Sequence, residues 1–148
     1  MAAVEHEHRD GVTTLTLADE DNRNTLGPTL LTELLEAIDE ADADPDVRIV
    51  VLTNRGSVFC AGADLRSAGA GGGPGPTGLD LFRRFRRSPK PFVGRIAGHC
   101  VAGGMGLAAA MDLAVADESA RFGFTEVRVG VAPAMISVLC LPKMRPID

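Results

Sequence analysis

The stretch Phe92-Val93-Gly94-Arg95-Ile96-Ala97-Gly98-His99-Cys100-Val101-Ala102-Gly103-Gly104-Met105-Gly106-Leu107 carries three signals in one run. Phe92 to Ile96 is apolar and suits a strand buried on both faces. The glycines after it punctuate a turn, and the small residues beyond them open a helix. A second stretch, Phe59-Cys60-Ala61-Gly62-Ala63-Asp64-Leu65, follows the β-branched run Val47 to Leu52 in the same way. Leu113 to Ala116 looks like a further buried strand. Strand, Gly-rich turn, helix, strand is the rhythm of an α/β fold with crossover connections.

Upstream, Val4 to His8 and Val12 to Leu17 alternate in polarity around Arg9-Asp10-Gly11, a hairpin signal. A polar loop, residues 18–27, leads to Pro28 in the position that opens helices. Leu30, Leu31, Leu34, Leu35 and Ile38 recur at helical spacing, with Glu33, Glu36, Asp39 and Glu40 opposite. That amphipathic helix ends near Asp44-Pro45. Its acidic end is unfavourable for the helix dipole, and a solvated face accounts for it. Residues 67–78, SAGAGGGPGPTG, form a low-complexity segment read as a mobile loop. It lacks the Gly-Lys-Ser/Thr ending of a phosphate loop. Leu79 to Arg87 gives a short helix with Phe82 and Phe85 on one side. Its basic residues Arg83, Arg84, Arg86 and Arg87, with Lys90, read as a solvated face rather than an anion-binding edge.

The chain has 148 residues and a net charge of −5, with 4% aromatics and neither Trp nor Tyr. The length fits one domain, residues 1–148. The acidic balance and the missing stacking platforms argue against nucleic acid as a partner. Cys60, Cys100 and Cys140 are far apart without CxxC spacing, so buried reduced thiols are expected and no metal site. No basic, apolar leader and no apolar run near ~20 residues is present. The expectation is a cytoplasmic protein with no membrane partner.

Chemistry concentrates in the two Gly-rich turns. Small side chains let a ligand approach the backbone, and a helix start leaves N–H groups unpaired. Two such amides converging on one point make an oxyanion hole. Either segment alone is as readily a structural turn.

Together, the two segments resemble those of the enoyl-CoA hydratase/isomerase (crotonase) family, which pairs an AGAD-type motif with a later Gly-Gly-Gly-type motif. Asn22-Arg23-Asn24-Thr25-Leu26 is similar to the family's Arg-Asn-Ala-Leu segment. Ala120-Arg121-Phe122-Gly123-Phe124-Thr125-Glu126 and Gly130-Val131-Ala132-Pro133 resemble its Phe-Gly-x-x-Glu and Gly-x-x-Pro segment. The resemblance runs from the first strand to about Met144. It implies a spiral of strand-strand-helix turns and an acyl-CoA thioester as substrate, coenzyme A being part of that substrate and no separate cofactor being needed. It implies that the amides of Ala63 and Gly103 hold the thioester oxygen and that Glu126 moves the proton. Arg23, Ala61, Asp64, Leu65 and Gly104 then bind substrate, Arg23 near the coenzyme. Asp64 also suits a helix cap, His99 a structural hydrogen bond, and Asp112 and Asp117 structural roles.

The chain departs from the family in two places. Hydratases of the family use two glutamates, and the first falls at position 106, which is Gly106 here. Isomerases of the family shuttle one proton with a single glutamate, so isomerase-like chemistry gains over hydration. Family members also continue beyond the point where this sequence stops, through helices that complete the pocket and pack trimers or hexamers. A C-terminally shortened chain is therefore expected, with an uncovered apolar face around Val131, Ile136, Val138 and Leu139 and doubtful assembly. The alternative function is an acyl-CoA-binding protein without catalysis. A Clp-type serine protease shares the spiral, but no Ser stands at the second turn and no His follows His99.

Overall fold

The computed structural model describes residues 2–64 and 75–145. Strands β1 (Val4–Arg9) and β2 (Val12–Leu17) pair antiparallel. Asp10 and Gly11 between them both have positive φ, 52° and 82°, as a two-residue turn matching the strand twist requires. Helix α1 (Pro28–Ala43) starts on Gly27 with Pro28 in its first position and buries Leu30, Leu31, Leu34 and Ile38. Then follow β3 (Ile49–Asn54), β4 (Val58–Cys60), α2 (Gly78–Arg87), β5 (Phe92–Ile96), β6 (His99–Val101), α3 (Gly103–Ala110), β7 (Leu113–Ala116), β8 (Phe122–Gly123) and α4 (Ala134–Cys140).

Two sheets share this chain. The larger has the order β1-β2-β3-β5-β7 and the smaller the order β4-β6-β8. Every pairing beyond the hairpin is parallel. The chain thus lays one strand in the large sheet and the next in the small sheet, then advances, so that β3/β4, β5/β6 and β7/β8 are successive turns of one spiral. Phe59, Phe92, Leu15, Leu52, Ile96 and Leu107 fill the core between them.

Three expectations change. The strand expected over 47–52 runs instead from Ile49 to Asn54. Val47 is buried but lies in the turn leaving α1, where its N–H donates to the Asp44 carbonyl. Thr53 and Asn54 extend the strand because their polar groups are satisfied inside: the Thr53 hydroxyl donates to the Arg95 carbonyl at 2.9 Å, and Asn54 accepts from the Ala97 N–H at 3.1 Å. The β7 strand is at the sheet edge rather than buried on both faces, leaving Leu113 and Val115 67% and 68% exposed. The acidic end of α1 is braced, not merely solvated. Arg84 binds Asp39 and Asp42 at 2.7 and 2.6 Å, while the Lys90 ammonium donates to the Ala41 and Asp44 carbonyls. A cation on the last carbonyls is what the helix dipole favours.

The register of the small sheet positions the site. Cys60 of β4 stands beside Cys100 of β6. The residues that follow each strand, 61–64 and 102–104, therefore leave the sheet side by side. Buried Asn24 ties the preceding loop to β4, donating to the Val58 carbonyl at 2.8 Å.

Candidate active site

The first turn is held by its backbone. The Ala61 N–H donates to the Arg23 carbonyl at 3.2 Å, and the Leu26 N–H donates to the Gly62 carbonyl at 2.8 Å, bridging Leu26 to Ala63. That bridge occupies the Gly62 carbonyl and not the Ala63 N–H. Gly62 has φ +93°, and a Cβ there would fall 2.7 Å from the Ala102 Cβ and 2.8 Å from the Gly103 nitrogen. Only glycine allows both the conformation and the approach.

The second turn meets the first at that point. Gly103 is the first residue of α3, so its N–H has no carbonyl one turn earlier to receive it. A Cβ on Gly103 would lie 3.3 Å from the Ala63 nitrogen. The two amides are thus neighbours. Ala102, just before, holds φ 49° and ψ −127°, a sparsely populated conformation for a residue with a Cβ. Its N–H donates to the Gly123 carbonyl at 3.0 Å and its carbonyl accepts from Met105 at 2.8 Å. Hydrogen bonds on both sides hold the strained residue in place.

Glu126 opens a 3-10 turn (Glu126–Val129) beyond β8. Its carbonyl accepts from Val131 at 3.1 Å, and Gly130 closes the turn in a left-handed conformation. It lines a cavity of about 520 Å³ together with Ala61, Ala63 and Gly103. The Glu126 Oε2 is buried and hydrogen-bonded to nothing among the described residues. A buried polar oxygen without a donor is unfavourable by about 1–3 kcal/mol.

Of the sequence-predicted residues, the cavity gathers Ala61, Ala63, Gly103 and Glu126. Arg23, Asp64 and Gly104 are not among its lining. Arg23 is exposed with φ 54° and touches the first turn through its carbonyl. Asp64 lies near Gly27, whose Cβ position is 3.6 Å from the Asp64 Cβ. That puts its carboxylate close to the start of α1; the helix it was expected to cap falls outside the described residues. Gly104 is a packing residue, since a Cβ on it would come within 2.4 Å of the Cys60 carbonyl. Leu65 and most of the Gly-rich segment 67–78 also lie outside the described residues.

Sequence reasoning missed several walls of the cavity: Leu26, Phe82, Ala102, Thr125 and the run from Val131 to Ile136. Phe82 was legible as one side of an amphipathic helix, but nothing local told which cavity that side faces. Ile136, expected to be uncovered, is buried, and Leu139 packs partly against the core. The cause is Gly106. A Cβ on Gly106 would fall 2.6 Å from Ile136 Cγ2, 3.1 Å from Ile136 Cβ and 3.0 Å from Phe82 Cζ. Glycine there lets α2 and α4 close on α3. Val131 and Val138 are exposed, as expected.

The remaining polar groups support the frame. His99 Nδ1 accepts from the Arg121 N–H at 3.2 Å, and Asp112 accepts from the Phe92 N–H at 2.8 Å. Asp117 accepts from the Ser119 hydroxyl and N–H, which holds its carboxyl below the usual range. The three cysteines are free and buried. Burial pushes the Cys60 thiol up to about 12 and raises Cys100 and Cys140 as well, Cys140 also feeling the charge of Glu126. None supplies a thiolate nucleophile near neutral pH.

A spiral of strand-strand-helix turns shared between two sheets is the crotonase type of α/β fold. The model of the enoyl-CoA hydratase/isomerase family matches residues 7–146, and the chain belongs to that family. It is 46% identical over 147 residues to a Thermus thermophilus protein provisionally named an enoyl-CoA hydratase, covering 94% of this chain and 57% of that one. It is 32% identical to enoyl-CoA hydratase EchA19 of Mycobacterium tuberculosis, over 99% of this chain and 60% of the relative. The crystal structure of an enoyl-CoA hydratase from Mycobacterium avium superposes with a TM-score of 0.86 at 37% identity, over 99% of this chain and 60% of the other. The chain thus spans less than two thirds of these relatives' length. Among the described residues no helix is long and apolar enough to cross a membrane.

Proposed function

We propose that the chain binds an acyl-CoA thioester with its carbonyl oxygen between the amides of Ala63 and Gly103, and that Glu126 moves a proton on the acyl chain. In a 3-enoyl thioester, Glu126 takes the proton from C2. The electron pair moves into the thioester and its negative charge is held by the two amides, the device that contributes most to such reactions. The double bond shifts to C2–C3 as the same carboxyl returns the proton to C4, so no water is consumed and one base suffices. Ala61 lies against the acyl group. Arg23, outside the cavity and exposed, meets the coenzyme's charge at its mouth. Asp64 and Gly104 act in support of the turns. Coenzyme A enters as part of the substrate, and residues 1–148 act as one unit.

The observation carrying this reading is the meeting of Ala63 and Gly103 at a cavity that Glu126 also lines. Isomerisation is favoured over hydration because Gly106 offers no second carboxylate. Glu126→Gln keeps the shape and removes the proton acceptor. Turnover of a 3-enoyl thioester should fall by about 10²–10⁴-fold with binding retained, and unchanged turnover would refute the role of Glu126.

A second reading, binding without catalysis, is favoured by the open apolar wall: Val129, Val131 and Met135 line the cavity yet are exposed. Under it, the wild-type chain binds the thioester and exchanges no acyl proton with solvent. The exposed apolar residues, which include Val127, Val138 and Leu141, form a face suited to cover by a homo-oligomer partner.

A further inference from the structure

The space a side chain at position 106 would need is already occupied. Its Cβ would meet Ile136 at both Cγ2 and the branch carbon, 2.6 and 3.1 Å away. The end of a flexible side chain could swing aside, but a branch carbon moves only with its backbone. Phe82 closes the other side at 3.0 Å. Both residues are 4% exposed and both line the cavity that Glu126 also lines. They stand on different elements, α2 and α4; Phe82 meets the position only with its ring tip, which can give by a few tenths of an ångström, so Ile136 is the residue that blocks it.

We propose that Ile136 and Phe82 are specificity-determining residues that fix the site's chemistry as proton transfer without addition of water. This rests on the reading of Glu126 given above. Hydration puts a water oxygen on C3 and a proton on C2, and in the family's two-glutamate arrangement one carboxylate holds and deprotonates the water while the other delivers the C2 proton. Here the wall beside Gly106 is hydrocarbon. It neither accepts a hydrogen bond from water nor leaves room for a carboxylate that would. Gly106 and Ile136 thus form a coupled pair: restoring a glutamate without removing the isoleucine restores nothing.

Four chains are compared: wild type, Gly106→Glu, Ile136→Ala and the double variant. Each is assayed for hydration of a 2-enoyl-CoA by loss of the conjugated thioester absorbance, and for unfolding in urea. Gly106→Glu alone is expected to lower the urea midpoint and to hydrate no faster than the wild type. The double variant should recover part of that midpoint and gain hydration of about 10²-fold over either single variant, the lower range for one positioned base. A Gly106→Glu chain that keeps the wild-type midpoint or hydrates as well as the double variant overturns the proposal. So does a folded double variant that does not hydrate. Should the full glutamate prevent folding, Gly106→Ala replaces it in the urea comparison, where midpoint losses that simply add to those of Ile136→Ala also overturn it. Acyl-proton exchange by the wild-type chain in D2O is read separately, and its absence refutes the role of Glu126 rather than the closure at position 106.

Discussion

The two walls of the cavity are built on opposite plans. One is the pair of turns after β4 and β6, where backbone meets backbone across Gly62, Ala102 and Gly103 and hydrogen bonds hold both sides. The other runs from Val127 to Leu141, where only Ile136 and Cys140 are buried and Val131, Met135 and Val138 are more than half exposed. The first wall is complete within the described residues, because strand register alone brings its parts together. The second depends on hydrophobic cover. The amide geometry should therefore withstand changes that disturb the apolar wall, and the converse should fail.

The largest effect is expected at the first wall. Gly62→Ala combines a left-handed φ with a contact of 2.7 Å to Ala102. Overpacking of about 1–3 kcal/mol adds to about 1–2 kcal/mol for the left-handed conformation. Urea unfolding should show a loss of that combined size, and a loss within about 0.5 kcal/mol, the range of an ordinary surface change, would break the contrast. Alkaline titration comes next. The Cys60 thiol rises from 9.0 to about 12 in the fold. Above pH 9 the unfolded chain gives up a proton that the folded chain keeps, so stability should be flat for this group below pH 9 and fall from there towards 12. Cys60→Ala should make that limb shallower in a pH series of urea midpoints, with Cys100 and Cys140 supplying what remains.

Smaller effects belong to the second wall and to the strained residue. Val131→Ser with Val138→Lys should change stability by no more than about 0.5 kcal/mol, while sedimentation shows less self-association as the apolar patch shrinks. Ala102→Gly relieves an unusual backbone conformation and should stabilise the chain by up to about 1 kcal/mol. Because the hydrogen bonds around residue 102 remain, thioester affinity should stay within about threefold; at 1.4 kcal/mol per tenfold, such a change lies below 1 kcal/mol.

The same contrast explains what was legible in the sequence. The hairpin around Asp10-Gly11, the start of α1 at Pro28, and the strands Phe92–Ile96 and Leu113–Ala116 follow from turn chemistry and apolar runs. Local patterning marks such elements strongly. Ala61, Ala63, Gly103 and Glu126 were found through motifs, and they do share one cavity. The placement of Ile136 was not legible, since its burial depends on what Gly106 lacks 30 positions earlier. Nor was the exposure of β7, because an apolar run reads alike whether its sheet continues or ends. Arg84 and Lys90 looked like a solvated face because their partners, Asp39, Asp42 and the last carbonyls of α1, lie some 45 residues away.

The proposed function stands or falls with two backbone amides that hold the thioester oxygen. The most direct test is the infrared carbonyl stretch of a 13C-labelled acyl-CoA thioester, bound to the chain and free. Donation from Ala63 and Gly103 polarises the carbonyl, so the bound band should move to lower frequency, in the Glu126→Gln variant as in the wild type. A bound thioester whose carbonyl absorbs at its aqueous frequency or above would contradict the account.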